Sequence, residues 1–261
     1  MQATLDFCAD KGWLIACINI INLMQMCCQG RWISDSELLT LPHIDTQHLT
    51  RFFNNKQRID CLPRLIQIIE QHNCQNILEN LVGDLMDKNK IKDIYEVVKM
   101  LPIIDIKISI AEMSDEKSDK DTRILIDTEN EAKFYDLYEN EEYVIDFDFL
   151  HRNLMKRNND HHPKSRKAYA PRYPKEKDEN WVVLIGSNCQ SEYNNELIAL
   201  KRINSLQFKH QSTQMLIKTP LKSELVSEDN SFMLTIYFMS DVYLGLDQQY
   251  NIKINLKSKI I

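Results

Sequence analysis

The chain has 261 residues and a mass of 30.8 kDa, with 43% hydrophobic and 27% charged residues. That is enough apolar material for one large domain or two ordinary ones, and it excludes a wholly disordered chain. A formal net charge of −6, from 32 Lys and Arg against 38 Asp and Glu, argues against a protein that coats polyanions generally, so any nucleic-acid contact has to come from a local patch. Five glycines are too few for phosphate-cradling loops and dinucleotide fingerprints, and no nucleotide-binding loop is written in the sequence.

Apolar spacing is helical as far as Pro102. The opening Met1-Gln2-Ala3-Thr4-Leu5-Asp6 is acidic where a secretory signal would be basic, and the pattern after it predicts one long helix from Thr4 to Trp32, ended near Gly30. Its most apolar stretch, Leu14 to Cys28, is fifteen residues long and carries Asn19, Asn22 and Gln25, so it is too short and too polar to span a bilayer. Those amides, continued by Gln29, form one narrow polar stripe on a core helix. Ser34 and Glu37 have the spacing of a capping box for a short helix that stops at Pro42. Asp45 is placed to cap a third helix through Phe53, Pro63 opens a helix from Arg64 to His72, and Ile77 to Met86 and Ile91 to Leu101 complete the set.

Beyond Pro102 the period changes to two. Ile104, Ile106, Ile108 and Ile110 alternate with polar residues, and Tyr143 to Phe149 and Tyr250 to Leu256 repeat the pattern. Trp181 to Ile185, Glu196 to Ile203, Gln214 to Lys218 and Phe232 to Met239 are short apolar runs between polar turns, and Arg123 to Asp127 is a shorter candidate, for a total near eight. Strands at this spacing without intervening helices predict an antiparallel sandwich of immunoglobulin or fibronectin type, with Trp181 filling the core between its sheets. The expected fold class is α+β: residues 1–54 as the end of a helical bundle, 55–101 as a helix-loop-helix unit, and 102–261 as the sandwich.

Charge is segregated locally. Residues 112–142 hold twelve acidic against four basic side chains and read as a solvated loop before a strand, whereas 151–177 hold nine basic against two acidic. The basic run includes Arg152, Arg166, Lys167, Arg172, Lys175 and Lys177 with Tyr169 and Tyr173 interleaved, the composition of a phosphate-contacting loop with stacking aromatics, although a solvated hairpin is the simpler reading. The stripe Asn22, Gln25 and Gln29, followed by Arg31, could donate to a nucleic-acid backbone, or face water or a neighbouring helix.

Catalytic signatures are missing from the sequence. Asp146 and Asp148 share one face of a strand, where they read as outward positions of a half-buried strand. Cys27-Cys28 sits in an apolar helix and reads as buried, inert thiol. The seven cysteines, Cys8, Cys17, Cys27, Cys28, Cys61, Cys74 and Cys189, have no C-x-x-C spacing and read as reduced intracellular thiols, and His161-His162 lies far from them, so no metal site is expected. Neither a nucleophile elbow, nor H-E-x-x-H, nor a D-E-x-H box with a phosphate loop is present, and the chain is expected to be catalytically silent.

Several segments together resemble a Sec63 domain of the Ski2-like helicase group. They are Asp10-Lys11-Gly12-Trp13-Leu14, Gln25-Met26, Gln29-Gly30-Arg31-Trp32, Asp35 to Pro42, and Tyr237-Phe238-Met239-Ser240-Asp241. Within the group, Ala170 to Glu179, Glu196 to Arg202 and Tyr243-Leu244-Gly245-Leu246-Asp247-Gln248-Gln249-Tyr250 are most similar to the activating signal cointegrator type, with the spliceosomal U5 type as the alternative. The resemblance runs from about Leu5 to Leu256, apart from Met113 to Ile126 and Asn153 to Arg166. It implies a chain that begins inside the last long helix of a bundle, with Leu5 to Trp32 short of packing partners, and a non-catalytic module that packs on ATPase cassettes and docks partners. It further implies a parent 3′-to-5′ helicase acting in alkylation repair and on stalled ribosomes, with ATP and Mg bound by cassettes outside this chain and no cofactor of its own. Expected partners are those cassettes, cointegrator-complex subunits, and RNA or DNA, with no membrane, in nucleus and cytoplasm. Trp13, Trp32, Trp181, Tyr237, Asp241, Tyr243, Gly245, Asp247 and Tyr250 are the structural signature, in which Gly245 permits a tight turn that Asp241 and Asp247 brace.

Overall fold

A computed structural model of the protein describes residues 1–56, 58–72, 75–113, 123–130, 132–152, 166–187, 196–204, 209–225 and 230–259. The predicted first helix is two helices, α1 (Gln2–Asp10) and α2 (Leu14–Gln29). Gly12 breaks it: the residue sits at φ +71°, which a glycine reaches without strain, and its carbonyl leaves the helix to accept from the amide of Leu197 at 2.8 Å. A second left-handed glycine, Gly30, ends α2.

The Ser34–Glu37 capping box does not form. A single 3-10 turn, Glu37–Thr40, follows Ser36, whose side chain caps nothing, and Glu37 instead accepts from the amide of Leu62 at 3.0 Å. That contact ties the turn to the start of α4 (Leu62–His72), one of the amides a helix leaves without an internal partner. Asp45 caps α3 (Thr46–Phe53) in a reciprocal box with His48, and Asp87 caps α6 (Lys88–Met100) after α5 (Gln75–Val82).

Nine strands follow among the described residues: β1 (Ile104–Glu112), β2 (Ile124–Leu125), β3 (Phe134–Tyr138), β4 (Glu142–His151), β5 (Asn180–Ser187), β6 (Glu196–Asn204), β7 (His210–Lys218), β8 (Ser231–Ser240) and β9 (Gln248–Lys257). They form a four-stranded sheet in the order β2-β1-β4-β7 and a five-stranded sheet in the order β3-β9-β8-β5-β6. All pairs are antiparallel except β3 with β9. The strand β3 lies inside the acidic stretch read as a solvated loop, and its parallel pairing departs from the all-antiparallel expectation. Five residues long, it buries only Tyr135 and Leu137, too few apolar positions to stand out among charges.

The two sheets share one core. Ile108, Ile145, Phe147 and Phe149 meet Val183, Ile185, Phe238 and Ile254, and the same cluster continues into Phe52, Leu65, Leu78, Ile94 and Val98 of the helices. Trp181 is buried and stacks on Phe238 at 4.5 Å, which in turn lies 5.2 Å from Phe149 of the opposite sheet. A second cluster lies on the other face of the five-stranded sheet, where Leu5, Cys17 and Ile21 of α1 and α2 cover Val182, Leu184 and Met239. Strand β5 is therefore buried on both faces, which is why it reads as an unbroken apolar run and not as an alternation. The fold is α+β, with helices packed on two sheets.

Candidate functional site

Polar chemistry concentrates where α2 crosses the end of β8. The Gln25 amide nitrogen donates to the Ser240 carbonyl at 2.8 Å and to both carboxylate oxygens of Asp247 at 3.0 and 2.9 Å. One turn on, Gln29 donates to the carbonyls of Tyr169 and Val242, each at 3.1 Å. The Asp247 carboxylate also accepts from the Ser240 amide at 2.8 Å, and the Ser240 hydroxyl accepts from the amides of Val242 and Tyr243. Gly245 turns the chain at φ +78° between these residues, with the Glu37 carboxyl filling the space where a side chain would lie. Burial pushes Asp247 up to about 6, against the pull of Gln25 and the Ser240 amide.

A second network continues from that corner. Asp241 pairs with Lys177 at 2.6 Å and accepts from the Asn180 amide at 3.3 Å. Fully buried Glu179 accepts from the Trp181 indole at 3.1 Å and pairs with Arg166 at 3.1 Å, and its carboxyl is raised mainly by desolvation. Arg166 also donates to the Met100 carbonyl and to His151, whose imidazole is drawn down to about 4 by burial and by the guanidinium beside it. Tyr243, with its phenol pushed up by burial, accepts from the Tyr169 amide at 3.1 Å.

These contacts fix where each predicted residue stands. Gln25 and Gln29 are buried, with their donors satisfied inside the chain, while Asn22 is half-buried and Arg31 donates to the Leu39 carbonyl at 2.9 Å. In the basic segment Arg166 and Lys177 are internal, Lys167 pairs with Asp178 at 2.9 Å, and Arg172 donates to the Gly30 carbonyl at 3.1 Å. Arg172 and Lys175 are exposed, and residues 153–165 of that segment lie outside the described residues. The Tyr250 hydroxyl donates to Gln248, and Tyr237 packs beside the second core cluster. Asp146, expected to point outward, is buried and accepts from Gln214 at 2.6 Å. Among the described residues no cluster of His, Cys, Asp or Glu could hold a metal, and no helix is long and apolar enough to cross a membrane.

Large apolar side chains stand open to solvent within the stretch Leu5 to Trp32 and just beyond it, as expected for a stretch short of packing partners. Phe7, Trp13, Ile15, Leu23, Trp32 and Ile33 are exposed on the helical side, with Phe7 and Trp13 edge to face at 6.0 Å. Cys27, expected to be buried, is exposed and falls four residues after Leu23, on the same outer line of α2 as Ile15 and Asn19. The signal was present in the near-uniform hydrophobicity of α2, which supplies apolar groups to two opposite faces.

The family profile described as "Sec63 Brl domain" matches residues 1–253. The chain belongs to the Sec63 family. This Sec63 domain is 33% identical over 272 residues to the activating signal cointegrator 1 complex subunit 3 of Gallus gallus, and 33% identical over 276 residues to that of Homo sapiens. Each alignment covers 98% of this chain and only 12% of the relative, so the chain spans about an eighth of their length. The human U5 small nuclear ribonucleoprotein 200 kDa helicase is 24% identical over 258 residues, covering 98% of this Sec63 domain and 10% of that protein. A solved β-glucosidase from Listeria innocua overlaps 60% of this chain and 17% of its own at 7% identity, with a TM-score of 0.30, too distant to bear on fold or function.

Proposed function

We propose that this Sec63 domain is a non-catalytic scaffold and docking module of a Ski2-like ATP-dependent helicase of the activating signal cointegrator type. The observation that carries the reading is the row Phe7, Trp13, Ile15, Leu23, Trp32 and Ile33 on α1, α2 and the segment that follows. Several large apolar side chains exposed on neighbouring segments of a folded domain mark a candidate contact surface. The occupants that fit are the helicase cassettes of a longer chain, which would bind ATP and Mg, together with cointegrator-complex subunits. The work of such a helicase is alkylation repair and the dismantling of stalled ribosomes, in nucleus and cytoplasm.

On this reading residues 1–54 end a helical bundle, 55–101 form a helix-loop-helix unit and 102–261 an immunoglobulin-like sandwich. Support for the sandwich comes from strand order: β1-β4-β7 takes the place of strands A-B-E, β5-β8-β9 that of C-F-G, and Trp181 stands on the strand equivalent to C. A spliceosomal parent is the alternative within the same group. Direct RNA or DNA binding is a second reading, supported by Arg172 and Lys175, both exposed and flanking the exposed Tyr173 in sequence.

The test is co-purification of the tagged chain from cell extract, with and without nuclease, beside an Ile15→Asp, Leu23→Asp variant. Helicase and cointegrator subunits are expected with the parent chain after nuclease and not with the variant. Recovery of U5 proteins would move the parent to the spliceosomal type, recovery abolished by nuclease would favour the basic segment, and recovery indifferent to both substitutions would overturn the reading.

A further inference from the structure

The strand β6 ends the five-stranded sheet, and among the described residues only its inner side is paired, to β5. A groove of about 470 Å³ runs between that strand and α1, lined by Asp6, Ala9, Asp10 and residues 197–202. One outward rung is already in use. The Leu197 amide points away from β5 and donates to the Gly12 carbonyl at 2.8 Å, so the chain itself shows this edge accepting a backbone partner from outside the sheet.

The next rungs follow from register. Gly186 faces Leu197 and Ile185 faces Ala199, so Ile198 is the extra residue of a bulge and the alternation restarts after it. In an antiparallel ladder a residue directs its N–H and C=O to the same side, and successive residues alternate sides. The Gly186 groups are turned from β6, so Ile185 and Ala199 bond to each other, and the backbone groups of Leu200 and Arg202 face outward. Side chains agree with this register. Leu200 packs with the α1 cluster and Arg202 reaches Asp6 at 2.6 Å, whereas Lys201 reaches the Gln214 carbonyl on the opposite face.

We propose that the β6 edge takes up an extended segment of a partner protein as an added strand, with a lysine or arginine of that segment opposite Asp10. Main-chain bonds from Leu200 and Arg202 supply affinity that any extended peptide can use, and side chains at alternate positions supply selectivity. Ala9, Ile198 and Leu200 give the groove an apolar lining. Asp6 is neutralised by Arg202, while the exposed Asp10 carboxylate has no ion pair among the described residues. A phosphate backbone would meet that carboxylate unfavourably, which sets this groove apart from a nucleic-acid channel. The inference does not depend on which helicase the domain serves.

The probe is a short labelled peptide of alternating valine and threonine with one central lysine, and its counterpart with glutamate at that position, titrated into the full 261-residue chain. Binding of the lysine peptide should slow hydrogen exchange at the amides of Leu200 and Arg202. Leu200→Pro removes an outward donor without touching the β5 ladder, and should weaken binding on the order of tenfold. Asp10→Lys should exchange the preference, favouring the glutamate peptide by about two- to fivefold, with circular dichroism checking that each variant folds. Absence of protection at both amides up to millimolar peptide, or an unchanged preference in Asp10→Lys, would overturn the proposal.

Discussion

Replacing Gln25 by methionine keeps the volume of a buried side chain and deletes a donor that three oxygens share. A hydrogen bond to a charged group contributes about 1.5–3 kcal/mol and one to a carbonyl about 1 kcal/mol, so Gln25→Met should cost about 3 kcal/mol near neutral pH. The loss should depend on pH through Asp247. Its folded value of about 6 lies above that of the unfolded chain, so its contribution to stability is fully present below the unfolded value and is lost as pH rises through about 6. Without Gln25 the carboxyl rises further, and the variant's deficit deepens above that point. Once the carboxyl is protonated in both proteins, near pH 5, only the neutral bonds are missing and the difference should shrink to about 1 kcal/mol. Urea unfolding followed by circular dichroism at about pH 7.5 and about pH 5 measures both numbers. An equal loss at the two values, or a loss below about 0.5 kcal/mol at either, would refute the role assigned to the Gln25–Asp247 contact.

Four further substitutions test the corner and the core. Trp181→Ala empties the space between the sheets and should destabilise by about 3–5 kcal/mol in the same unfolding assay. Gly245→Ala would place a methyl group 1.9 Å from the Glu37 carboxyl and force it off the Leu62 amide, for a total of about 2–4 kcal/mol with the left-handed strain. In a Glu37→Ala background the same glycine change should cost only about 1 kcal/mol, a non-additivity that a double-mutant cycle reads directly. Arg166→Met leaves the buried Glu179 carboxylate without its cation and should cost about 3–5 kcal/mol at neutral pH, less as the solution is acidified. Equal losses for that variant at acid and neutral pH would place its effect outside the ion pair.

How much of this was legible follows from the reach of each signal. Helix caps at Asp45, period-two strands such as β1 and the apolar run of β5 are local patterns, and a sequence displays them directly. Residues from Ser240 to Asp247 could be named as a braced turn because Gly245 and two acidic residues are close in sequence, but their partner Gln25 lies more than two hundred positions away. Nothing local distinguishes an amide aimed at such a partner from one aimed at water, so the stripe Asn22, Gln25 and Gln29 read ambiguously. The break at Gly12 was hidden because the apolar spacing runs through it unchanged, and only a long-range bond to Leu197 makes the left-handed conformation worthwhile. Arg166, Lys177 and Lys167 looked like one basic surface, since their acidic partners Glu179, Asp241 and Asp178 are brought to them by the fold.

Burial of the outer face of α1 and α2 within a longer helicase is the central claim. The most direct measurement compares alkylation of Cys27 and oxidative labelling of Trp13 and Trp32 in the 261-residue chain alone and in its complex with the helicase cassettes it is proposed to pack on. All three side chains should react readily in the chain alone and be protected at least several-fold in the complex. Equal reactivity in both would leave the apolar face open to solvent and contradict the docking role.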